Sequence, residues 1–87
     1  MINNSIKAVL TFLLNQKCIG GKHIPEKMLL KSKTRWINNY ERKEFYKQYK
    51  ELLNNEIILR FKKQTGKSVD WHISLNPRKL KEAYEMM

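Results

Sequence analysis

Along the first helix-sized stretch, apolar residues return every three or four positions. Ile6, Val9, Leu10, Leu13 and Leu14 share one face when plotted at about 100° per residue, with Ile2 a turn earlier. Lys7, Ala8 and Thr11 lie opposite, and Phe12 falls off the core stripe. The pattern predicts a first helix, capped by Asn4 or Ser5 and ending near Lys17, with Gly20 and Gly21 as the stop. A short second helix is predicted from about Pro25 to Ser32, carrying the apolar patch Met28, Leu29 and Leu30. Proline suits a first turn, where its missing N–H costs nothing. Asn38 and Asn39 then give a cap signal, with Glu41 three residues past Asn38. The third helix is predicted over Asn39–Asn54. Phe45, Tyr49, Leu52 and Leu53 form its core stripe, and Lys43, Lys47 and Lys50 lie together on the other side.

After Asn55 the period changes to two. Ile57, Leu59 and Phe61 alternate with Ile58, Arg60 and Lys62, and Val69, Trp71, Ile73 and Leu75 alternate with Asp70, His72 and Ser74. Two alternating runs around Gly66 predict a hairpin. Both apolar sets sit at odd positions, so facing partners should sum to an even number. A two-residue Gly66-Lys67 turn gives an odd sum and is disfavoured, whereas a three-residue loop, Thr65–Lys67, satisfies the parity and is preferred to a five-residue loop, which satisfies it too. The three-residue loop sets Phe61 opposite Trp71, Leu59 opposite Ile73 and Lys62 across from Asp70, and leaves His72 across from Arg60. Both Trp71 and Trp36 read more readily as core residues than as base-stacking platforms. Trp36 lies in the join between helices two and three, flanked by Lys33 and Arg35, where partial exposure and a nucleic-acid role are the alternative. Asn76-Pro77 opens a last helix with Leu80, Ala83 and Tyr84 on its apolar side. Residues 1–87 thus read as one continuous domain of the α+β class: three helices, a two-stranded β-hairpin and a C-terminal helix.

Composition sharpens the picture chiefly through charge. Eighteen Lys and Arg against eight Asp and Glu give +10 at neutral pH, and fourteen of the cations are Lys. Such an excess favours a polyanionic partner, although a basic surface also serves solubility alone. The single cysteine, Cys18, excludes an intrachain disulfide and suggests a reducing, cytoplasmic setting. No apolar run approaches the roughly 20 residues of a membrane span, and the N-terminal stretch lacks the basic region and cleavage site of a signal peptide. The apolar faces look committed to a core, so no membrane partner is expected.

The order of these elements resembles the winged-helix domain. Glu51-Leu52-Leu53-Asn54-Asn55-Glu56-Ile57-Ile58-Leu59-Arg60 resembles the end of a recognition helix followed by the first wing strand, with Asn55 where a glycine is often seen. Trp71-His72-Ile73-Ser74-Leu75-Asn76-Pro77 resembles the second wing strand and the start of the last helix. Ile24-Pro25 resembles the short first strand leading into the second helix. The resemblance implies nucleic-acid binding, usually to duplex DNA, with the third helix in the major groove and the wing on the backbone or minor groove. It also implies a small transcriptional regulator, with a homodimer through the first or last helix as a further expectation. Phe12, Met86 and Met87 are the candidate apolar patch for that contact.

The residues agree with part of this. Lys43, Lys47 and Lys50 point away from the predicted core, Tyr46 borders them, and Arg60, Lys62, Lys63 and Lys67 lie along the wing. With Lys33 and Arg35 these form the candidate nucleic-acid-binding set. Lysine binds phosphate as a point charge, whereas arginine's fork reads guanine edges, so backbone-dominated binding with modest sequence preference is expected. The departures are the long join Lys33–Asn39 and the acidic flank of Glu41, Glu44 and Glu51. RNA or an acidic protein is the alternative partner. No catalytic or metal chemistry is expected. Cys18, His23 and His72 lack zinc spacing, Gly20-Gly21-Lys22 lacks the rest of a phosphate-binding loop, and no carboxylate pair stands out. No cofactor is expected.

Overall fold

The computed structural model describes residues 3–87, so the expectation for Ile2 lies outside the described residues. Four helices, α1 (Asn4–Asn15), α2 (Glu26–Thr34), α3 (Asn39–Asn54) and α4 (Leu80–Met86), pack with three strands, β1 (Ile24–Pro25), β2 (Ile58–Thr65) and β3 (Ser68–Leu75). The fold is a small α+β one. Its sheet has three antiparallel strands in the order β1-β3-β2, not the two of the hairpin alone. Ile24 and Pro25 pair with Ile73 and His72. A two-residue strand is too short to show an alternation, and it lies at Ile24–Pro25, where the resemblance alone put a short first strand.

Ile6, Val9, Leu10 and Leu13 of α1 are fully buried. They meet Leu29 and Leu30 of α2, Phe45, Tyr49 and Leu52 of α3, and Ile58, Ile73 and Leu75 of the sheet. Phe12 is half-buried against this core, which corrects its expected place off the stripe. Ala83 closes one end of the core, while Tyr84 on the same helix is 62% exposed, against expectation.

The helix ends are set by chemistry other than the expected glycines. The Asn3 side chain caps α1 by accepting from the Ile6 N–H at 2.9 Å, in place of Asn4 or Ser5. At the far end Lys17 adopts the left-handed conformation, φ 54°. Its N–H donates to Leu14 O, and the Cys18 N–H donates to Leu13 O. That is a Schellman turn, and it ends α1 before Gly20 is reached. The same device ends α3: Glu56 has φ 60°, its N–H donates to Leu53 O, and the Ile57 N–H donates to Leu52 O. Asn38 caps α3 by accepting from the Glu41 N–H at 2.8 Å, as expected. Pro25 is extended, φ −61° and ψ 126°, and belongs to β1, so α2 starts one residue later than predicted. Pro77 opens a short 3-10 turn, Pro77–Lys79, before α4, with Asn76 accepting from the Arg78 N–H at 3.0 Å.

The hairpin register differs from the sequence reading. Thr65 faces Ser68 across a two-residue Gly66-Lys67 turn, so facing partners sum to an odd number. Phe61 faces His72, Lys62 faces Trp71, Lys63 faces Asp70, and Arg60 faces Ile73. Gly66, with φ 59°, supplies the positive φ that a glycine-first two-residue turn needs. Ile57 is the residue that breaks the expected parity. That residue is buried because it closes the Schellman turn, before β2 begins, and strand alternation does not govern it. The core residue of β2 is Ile58, at 1% exposure, which shares a face with Ile73 and Leu75.

Candidate nucleic-acid interface

Three of the expected cations come together on α3. Lys43, Lys47 and Lys50 are exposed on one side of the helix, spanning about 10 Å of its axis, with Tyr46 half-exposed beside them. Their backs are the buried Phe45, Tyr49 and Leu52, so core packing fixes the outward direction. Among the described residues the one ion pair is Arg60 with Glu26, so the acids of α3 do not neutralise these lysines. Asn39, Arg42, Lys43 and Tyr46 line an open hollow of about 600 Å³ on this outer face.

Tyr46 also lines a second hollow, of about 510 Å³, where α2, α3 and β3 meet. Its walls carry Lys27, Lys31 and Arg42, and Trp71 stands at its β3 side. Sequence reading left Lys27 and Lys31 out of the site. Their spacing of four along a short helix was the available signal, since it places both on one face. Arg42 is fixed there. It donates to Thr34 Oγ1 at 3.3 Å and to Thr34 O at 3.1 Å, tying the start of α3 to the end of α2. Thr34 in turn donates to Leu30 O at 2.7 Å.

Arg60 is not available to a ligand in the way expected. It turns inward and forms a two-pronged pair with Glu26, Nε to Oε2 at 2.9 Å and Nη2 to Oε1 at 2.8 Å. The Tyr49 hydroxyl donates to the same Oε2 at 2.6 Å. Burial, and then this hydrogen bond to a carboxylate, hold the Tyr49 phenol well above its usual pKa. The guanidinium of Arg60 also lies 4.1 Å from the centre of the Trp71 ring. Trp71 is 38% exposed rather than a core residue, because its neighbours on that face of the sheet are the cations Arg60 and Lys62.

The remaining cations scatter. Lys62 lies 5.6 Å over the Trp71 ring, on the opposite face of the strand from Lys63. Asp70 therefore faces Lys63 and not Lys62. Lys67 sits exposed in the turn. Lys33 turns away from the set, 5.0 Å over the Phe12 ring and half-buried. Arg35 stacks 4.8 Å over Trp36, whose 84% exposure rules out the core role expected for it.

On the outer face of the sheet, His72 is buried and faces Phe61 instead of Arg60. Its Nδ1 lies 2.9 Å from Nδ1 of His23, so one ring donates and the other accepts. Desolvation, then the charges of His23 and Lys63, lower the His72 pKa below the ordinary value, with Asp70 opposing. Among the described residues no group of three or more His, Cys, Asp or Glu is placed to hold a metal. No helix among them is long and apolar enough to cross a membrane. No protein-family description, curated protein or solved structure matches the chain.

Proposed function

We propose that the chain is a non-catalytic nucleic-acid-binding module of winged-helix shape, gripping the phosphates of duplex DNA with α3 and the hairpin, in the manner of a small transcriptional regulator. The observation that carries this is the unneutralised row Lys43, Lys47 and Lys50 on the outward side of a helix whose other side is fixed in the core. Support also comes from the element order, with its short first strand, and from the exposed Lys62, Lys63 and Lys67. Arg60 is left out of the contact set because Glu26 holds it.

Each lysine that neutralises a phosphate releases counterion, so affinity falls with salt by about 0.9 of a log unit per contact and log unit of salt. The test is fluorescence anisotropy of a labelled random-sequence duplex across a salt series, with a Lys43/Lys47/Lys50→Ala variant alongside. The variant is expected to lose about 2.7 units of slope. Unchanged slope in a folded variant would remove α3 from the interface. The alternative partners, RNA or an acidic protein, are separated by competing structured RNA and single strands against the duplex.

A further inference from the structure

The sheet has an edge that ends abruptly. β1 pairs only with Ile73 and His72, and the chain then leaves the sheet for α2. β3 continues outward from Trp71 to Ser68 with a strand on its β2 side alone. In a two-residue hairpin the pair flanking the turn exchanges hydrogen bonds, and every second pair outward does the same. Here those pairs are Thr65–Ser68, Lys63–Asp70 and Phe61–His72. Val69 therefore directs its backbone N–H and C=O, and Trp71 its N–H, to the edge away from β2, while the Trp71 C=O falls opposite Glu26, where the Pro25–His72 pairing closes.

A hollow of about 510 Å³ lies along this open edge, between β3 and the first turns of α2. Its lining includes Pro25, Met28, Val69 and Trp71, with Lys27 and Lys31 on the α2 wall. Met28 is 66% exposed and Val69 48%, so the apolar surface is uncovered. Of the two acids at the hollow, Glu26 is held by Arg60 and Tyr49, and Asp70 sits across from Lys63. The other edge of the sheet, on β2, carries exposed Lys62 and Lys63, the usual guard against strand pairing. Across from those lysines β3 carries Trp71 and Asp70, and the next residue on the Trp71 side of the strand is the exposed Val69.

We infer that the open edge of β3 at Val69–Trp71 is a docking site for an extended acidic peptide. The peptide adds as a further strand in line with β1. Its backbone pairs with Val69 and reaches the Trp71 N–H, an apolar side chain settles against Met28 and Trp71, and its carboxylates meet Lys27 and Lys31. Acidic character follows from the charge complementarity of the α2 wall, and an extended backbone follows from the groups the edge presents. This inference does not depend on the DNA reading, since it uses neither Lys43, Lys47 nor Lys50.

The test is a two-dimensional amide NMR titration of the whole chain. The probe is an acetylated peptide of about seven residues alternating aspartate and valine, the length of an ordinary strand. A lysine–valine peptide of the same length and a short thymidine strand are the controls. The expected result is shifts at Val69, Asp70, Trp71, Lys27, Met28 and Lys31 with the acidic peptide alone. Val69→Pro removes an N–H that points away from β2 and spares the hairpin ladder, so it should abolish binding while the spectrum stays folded. Lys27→Glu with Lys31→Glu gives an independent arm, expected to weaken binding at least about tenfold. The Lys43/Lys47/Lys50→Ala variant should bind the peptide unchanged, which keeps this test separate from the DNA one. Shifts confined to α3, equal binding of the lysine–valine peptide, a thymidine strand alone perturbing the β3 edge, or full affinity in the Lys27/Lys31 variant would each overturn the inference.

Discussion

Glu26 is only 8% exposed, yet it accepts from both Arg60 nitrogens and from the Tyr49 hydroxyl, so removing it strands a guanidinium and a phenol together. Losing one partner of a fully buried pair costs about 3–5 kcal/mol. The Arg60 side chain is 39% exposed and can turn to water, so Glu26→Ala should cost about 2 kcal/mol, read by urea unfolding. Tyr49→Phe removes one bond and should cost about 1 kcal/mol on the same curve. Equal losses for the two variants would contradict this hierarchy. The pairing was not legible in the sequence, because Glu26 and Arg60 are far apart in the chain and neither breaks a local pattern. The His72 ring carries a second consequence. Its folded pKa is lowered, so the unfolded chain binds the extra proton more readily. The stabilisation is then complete above the unfolded value of about 6.5 and is lost as pH falls through the folded one. Thermal midpoints should drop below about pH 6.5, and less so in His72→Gln, with ring-proton NMR giving a titration midpoint below that of a free histidine. A midpoint above it would reverse the sign.

The helices were largely readable from periodicity, and α3 matched its predicted span residue for residue because cap and stripe agreed. The ends of α1 and α3 both depend on backbone conformation, and the end of α1 was misread. Lys17 and Glu56 both occupy left-handed positions that glycine fills without a Cβ penalty. Neither residue type signals such a position, so the stop of α1 was assigned to the glycines downstream. Lys17→Gly and Glu56→Gly should each stabilise the fold, by about 0.5–1 kcal/mol in urea unfolding. Loss of stability in either would mean that the side chain contributes more than its conformation costs. The hairpin shows a different limit. Alternation located both strands, but the face was assigned from Ile57, whose burial belongs to the end of α3. Once Ile58 is taken as the inward residue, the glycine-first turn and the core face agree.

At the scale of the molecule, the net charge of +10 was legible from composition, but which cations act together was not. Folding withdraws Arg60 into an ion pair and turns Lys33 over Phe12, while it leaves the α3 lysines and the tip of the hairpin in solvent. If α3 and the hairpin hold one duplex, their contributions to the salt slope should add, because the two groups share no partner among the described residues. Lys62 is partly engaged by the Trp71 ring, so a Lys62/Lys63/Lys67→Ala variant should lose only about two units of slope, against about 2.7 for the α3 triple. Combining both sets should remove about five units and leave binding nearly independent of salt. Arg60→Ala should lower stability and leave the slope in place, which separates a cation that carries the fold from those that meet phosphate. A hairpin triple with an unchanged slope would confine the contact to α3. The domain would then grip DNA along a single helix, without the two-sided hold that the winged-helix likeness implies.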